Sequence, residues 1–94
     1  MSMYVGSLEV RMIIREARSL KDKRQVVNSI KDRLRNHYNV SVAEVDFLDD
    51  RQTLALGFAM VSNDSSHLRK CLTQIVEACR SHPVAELVKY EMNV

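Results

Sequence analysis

The chain has 94 residues, 46% of them apolar and 28% charged, with 14 Lys/Arg against 12 Asp/Glu. That length makes one domain, residues 1–94, with one modest core, and two Gly and one Pro exclude collagen, long linkers and extended disorder. No apolar run approaches the ~18 residues of a membrane span, and no basic stretch followed by an apolar one opens the chain, so a cytoplasmic protein with no membrane association is expected.

Residues 3–14 alternate, with Tyr4, Leu8, Val10, Met12 and Ile14 on one side and Val5, Ser7, Glu9, Arg11 and Ile13 on the other, the pattern of a strand with one apolar face. Ser19 opens a helix, and Ser19 with Asp22 resembles a capping box. Leu20, Val27, Ile30, Leu34 and Tyr38 then recur at helical spacing, with Val26 beside them, and Asn39 suits a left-handed residue where the helix stops. Residues 40–48 are rich in β-branched and aromatic side chains and predict a second strand. Residues 49–52 have turn composition, and residues 53–61 alternate again through Leu54, Leu56, Phe58 and Met60. Ser62-Asn63-Asp64-Ser65 offers N-caps for a second helix buried through Leu68, Leu72, Ile75, Val76 and Cys79, which Pro83 prevents from continuing. Residues 84–92 form a last strand.

A βαββαβ order with helices of this length predicts an α+β, ferredoxin-like sandwich. Its four-stranded antiparallel sheet has the order 4-1-3-2, and right-handed crossovers place both helices on one face. Met12, Met60 and Met92 read as core filler. Cys71 and Cys79 lie eight positions apart on one helix, roughly 12 Å, too far for a bridge, so both are expected as free thiols.

Charge is unevenly distributed. Residues 15–38 hold eight Lys/Arg against three Asp/Glu, whereas the rest of the chain holds six against nine. On a helical wheel of ~100° per residue, Lys21, Arg24, Lys31 and Arg35 fall within about 80° of one another, beside the apolar face. Lys21–Arg24 and Lys31–Arg35 are like-charge neighbours, each weakening a helix by roughly 0.2–0.5 kcal/mol, and a surface selected for stability alone would interleave Glu. Arg15, Arg18 and Lys23 enlarge the patch at the helix entrance, where phosphate would also meet free backbone N–H groups. Arg18, Lys21, Lys23, Arg24, Lys31 and Arg35 are therefore the candidate nucleic-acid contacts, with structured RNA or a ribosomal particle as the expected partner. The competing expectation is a solvated face whose charges pair across the fold with Glu44, Asp46, Asp49 or Asp50.

The sheet face away from the helices is expected to show Val5, Ser7, Glu9, Arg11, Ile13, Ala55, Gly57, Ala59 and Val61. No aromatic residue stands there, which excludes the base-stacking mode of RNA-recognition-motif domains. A flat patch of small and β-branched residues can instead accept a second sheet. Val5, Ser7, Ala55, Gly57, Ala59 and Val61 are the candidate contacts of a homodimer.

No catalytic constellation, cofactor site or metal site emerges, and a non-enzymatic role is expected. Acylphosphatase, an enzyme of similar length and topology, holds phosphate in a glycine-bearing loop after its first strand, but residues 15–19 contain no Gly. An Arg/Asn pair made by Arg18 and Asn63 is the one remote hydrolytic alternative. His37, His67 and His82 lack metal-ligand spacing. Asp46, Asp49, Asp50 and Asp64 could gather near one end of the sheet as a solvated acidic cluster, without the spacing of a calcium loop. Glu44 and Asp46 could guard the edge of strand 2.

Residues 17–24 (ARSLKDKR), 39–46 (NVSVAEVD) and 61–64 (VSND), with Met3-Tyr-Val-Gly6 at the start, resemble the bacterial YlxP-like family, a domain of unknown function. The resemblance covers nearly the whole chain. It implies a ferredoxin-like fold, a bacterial cytosolic protein and no established activity, with genes often placed among those for translation initiation and ribosome maturation. The hairpin tip, residues 47–52, departs from the His- and aromatic-bearing tips of that family.

Overall fold

The computed structural model describes residues 2–94: β1 (Tyr4–Ile13), α1 (Leu20–His37), β2 (Ser41–Asp46), β3 (Thr53–Ser62), α2 (Ser65–Arg80) and β4 (Glu86–Asn93). All strand pairs are antiparallel, and the sheet runs β2-β3-β1-β4, the expected order read from the other edge. The alternation of β1 and β3 places Leu8, Val10, Met12, Leu54, Leu56 and Phe58 under the helices, all but inaccessible to water. Leu68, Leu72, Ile75 and Val76 of α2 and Val27, Ile30 and Leu34 of α1 close the core from above. Cys79 belongs to that core, and burial pushes its thiol up to about 11, which leaves it a poor nucleophile. Cys71 is also buried, 3.5 Å from the His67 ring, and both thiols are free, as the spacing predicts.

Both helices start where their capping residues dictate. Ser19 Oγ accepts from the Asp22 amide, while the Asp22 carboxylate reaches back to the Arg18 amide. Asp64 Oδ1 accepts from the amides of Ser66 and His67 at the head of α2. Asn39 does not take the left-handed conformation. Tyr38 ends α1 with extended backbone, and the left-handed non-glycine residue is Phe47, at φ 61°.

Register explains where the hairpin tip goes. β2 and β3 pair regularly from Ser41–Ala59 to Glu44–Leu56, and then Asp46 stands opposite Ala55, so Val45 is an inserted residue. The bulge bends β2 and turns Phe47 back across the end of the sheet. Asp50 Oδ1 closes the tip by accepting from the amides of Gln52 and Thr53, contacts that hold the carboxyl below its usual range.

The α2–β4 connection is held by a histidine. His82 Nδ1 accepts from the amides of Val84 and Ala85 at 3.1 and 3.0 Å, so the ring must be neutral with its proton on Nε2. Burial, followed by the nearby Arg33 charge, lowers its pKa from the ordinary value. The unfolded chain therefore binds the proton more readily. This contribution to stability is complete above about pH 6.5 and is lost as pH falls toward the lowered folded value. His82→Asn places an amide oxygen where Nδ1 stood and removes the titration. Thermal melts of that variant should show a shallower loss of stability between pH 7 and 5 than wild type, and an unchanged slope would contradict the assignment.

Candidate nucleic-acid interface

The basic residues of α1 divide into two groups. Lys21 and Arg24 are exposed and Lys31 partly so, and among the described residues no carboxylate lies within ion-pair distance of any of them. The same holds for Arg18, just ahead of the helix. Arg35 lies in the strip, but Asp32, one turn earlier, is 3.5 Å away, so it is not unpaired as the strip pattern predicts. Both partners are exposed, and such a pair is worth ~0.5 kcal/mol or less, so it leaves Arg35 free to exchange partners.

Lys23 does not belong to this surface. Its side chain is 1% exposed, and its ammonium is held by two backbone hydrogen bonds and one ion pair. Nζ donates to the carbonyls of Phe47 and Asp50, the latter at 2.7 Å, and faces Glu44 Oε2 at 2.9 Å. The candidate phosphate contact is thus a strut that pins the β2–β3 tip to the first turn of α1. Glu44 is corrected with it: it points toward α1, in phase with the half-buried Val42, and does not guard the strand edge. Of the cross-fold pairings the sequence offered, Glu44 is the one made, and it is made by Lys23 and not by the exposed strip.

Two further features narrow the helix entrance. Arg15 Nε pairs with Glu86 Oε2 at 2.9 Å on the surface. At the head of α1 the Asp22 amide is taken by Ser19 Oγ and the Arg18 amide by the Asp22 carboxylate, so two of the amides expected for a phosphate are already engaged within the chain. The phosphate-facing surface is therefore the flank of α1, from Arg18 through Lys21, Arg24 and Lys31 to Arg35.

The hydrolytic alternative fails on topology. Tyr4 pairs with Ser62 and Ile13 with Thr53, so the loop bearing Arg18 and the loop bearing Asn63 leave opposite ends of the sheet. Nine residues of strand, roughly 30 Å, separate them. The same geometry parts Asp64 from Asp46, Asp49 and Asp50, so the four do not form one cluster, and no metal-competent group of three exists among the described residues. No helix among these residues is long and apolar enough to cross a membrane.

On the helix-free face, Val5, Ser7, Ala59 and Val61 are exposed as expected. Ala55 is not, because it is completely buried between Arg11 and Asp46, its neighbours across the two adjacent strands. The Arg11 guanidinium lies 4.8 Å from the centre of the Phe47 ring, and together they roof this end of the face. Gly57, one step along β3, is partly covered: a Cβ there would meet Val45 Cγ1 at 2.9 Å. A candidate dimer contact is thus lost at Ala55 and narrowed at Gly57.

Comparison with known proteins places this geometry. Residues 5–92 match the family described as "Protein of unknown function (DUF503)". The uncharacterized protein YlxP of Bacillus subtilis (strain 168) is 35% identical over 82 residues, covering 87% of this chain and 89% of its own. Among solved structures, the de novo designed protein Foldit4 aligns with a TM-score of 0.57 at 11% identity over 97% of this chain and 98% of its own, a likeness of fold alone.

Proposed function

Since the chain belongs to the DUF503 family of YlxP-like proteins, whose function is unknown, its role must be sought in its own surface, and we propose a non-enzymatic accessory domain that binds structured RNA or a ribosomal particle. The observation that carries this is the flank of α1, where Lys21, Arg24 and Lys31 stand without a carboxylate partner among the described residues while acidic residues predominate elsewhere in the chain. Residues 21 to 35 span about 21 Å along the helix, enough to follow several successive phosphates. Arg18 and Arg35 extend the contact at either end. With no aromatic residue at the outward positions of β1 and β3 to stack on bases, the domain reads backbone charge and shape. The direct test is co-sedimentation with ribosomal subunits, and gel shift of a double-stranded RNA hairpin, for wild type and for a variant with Lys21, Arg24, Lys31 and Arg35 replaced by Glu.

A further inference from the structure

We propose that the helix-free face is the interface of a two-fold homodimer in which each protomer's Arg11–Phe47 ridge seats in the other's trough over Gly57. Two independent patterns on this face point to a second copy of the chain.

The first is charge. Glu9 on β1 stands directly opposite Glu91 on β4, and one step along the same face Arg11 stands opposite Lys89. The face thus carries an acidic row beside a basic row. Like charges opposed across neighbouring strands destabilise a sheet, and no ion pair joins any of the four residues to a carboxylate or cation of the same chain among the described residues.

The second is shape. The face rises at the ridge over Ala55 and falls next to it into a trough of about 440 Å³, lined by Ser7, Glu9, Ala43, Val45, Gly57 and Ala59. The row between them contains Val10 opposite Leu56 on β3 and opposite Tyr90 on β4.

A two-fold axis lying in the interface, across the strands above that row, satisfies both patterns at once. It keeps β1 over the partner's β1 and β4 over the partner's β4 but reverses their direction. Position 9 then meets position 11, position 91 meets position 89, and the row of Ala55 meets the row of Gly57. Every acidic row faces a basic row, and each ridge faces a trough, as a self-complementary interface requires. Two twisted sheets stacked face to face at ~10 Å make a familiar sandwich.

The chemistry can be read in solution. Light scattering of the wild type should give twice the 10.8 kDa chain mass at low salt and move toward the single-chain mass as salt rises. Glu91 and Lys89 are both exposed, so E91K and K89E should keep the fold, checked by circular dichroism. Each should weaken self-association by about tenfold or more, because like charges then meet across the axis. Mixing the two variants should restore a dimer, since the all-basic row of one meets the all-acidic row of the other. A wild type that stays at the single-chain mass at every salt and concentration overturns the proposal. So does a dimer indifferent to both substitutions, or a mixture that stays monomeric.

Discussion

Lys23→Met should cost about 3 kcal/mol of folding stability, although it replaces a charged side chain by an apolar one of similar length. Two carbonyls at the hairpin tip lose their donor, and the Glu44 carboxylate, only 15% exposed, loses its counter-ion. Removing one member of a buried pair typically costs about 3–5 kcal/mol, and the partial access of water to Glu44 places this case at the lower end. For a domain of this size the melting temperature should fall by roughly 15 °C. Adding Glu44→Leu to Lys23→Met should recover part of the loss, because the orphaned carboxylate is then gone while the two carbonyls stay unsatisfied. Urea denaturation of wild type, the single variants and the double variant would give the coupling directly. A Lys23→Met protein within about 0.5 kcal/mol of wild type, as at an ordinary surface site, would refute the strut.

Reversing Lys21, Arg24, Lys31 and Arg35 to Glu should abolish sedimentation with ribosomal subunits and leave the melting temperature within a few degrees of wild type. The reversal exchanges two basic neighbour pairs for two acidic ones, breaks the exposed Asp32–Arg35 pair and sets a carboxylate at position 35 against Asp32. Each change is worth roughly 0.5 kcal/mol or less on an exposed helix face. Binding, by contrast, changes by eight charges on one face. Phosphate binding of this kind should depend steeply on salt. With the five contacts from Arg18 to Arg35 on duplex RNA, the slope of log affinity on log salt should be about −4 to −5. Replacing Lys21, Arg24 or Lys31 singly by Ala should make that slope shallower by about one unit each. Lys23→Met, at a temperature where it is still folded, should leave the slope unchanged. Unaltered sedimentation of the reversed variant, or a salt slope near zero for wild type, would remove the basis for the RNA proposal.

Most of the framework was legible from local pattern. The alternation of β1 and β3, the Ser19 and Asp64 caps and the stop before Pro83 each rest on interactions within a few residues, and each appears where the spacing put it. The errors share a different cause. Lys23, Val27, Ile30 and Leu34 have the spacing i, i+4, i+7, i+11, so Lys23 sits in the apolar stripe of α1. Its charge concealed what its position disclosed. Glu44 is likewise in phase with Val42, and pairing the two misplaced charges would have revealed the strut. Ala55 was misjudged because alternation knows nothing of what arrives from outside the strand. The bulge at Val45 and the left-handed Phe47 bring a ring against Arg11, the cross-strand neighbour of Ala55, and neither follows from the hydrophobic period. Arg18 and Asn63 looked like a pair only while the antiparallel run of β1 and β3 was left out.

The two lysines of the first turns of α1 form a built-in chemical clock. Lys21 offers its amine to solvent, whereas Lys23, two residues on, has none to offer until the hairpin tip lifts away. An acylating reagent in excess will therefore modify Lys21 at the rate of a free amine and Lys23 at the rate of local opening. Mass spectrometry of a single peptide would then report, in one molecule, both the reagent's reactivity and how often the end of the sheet comes undone.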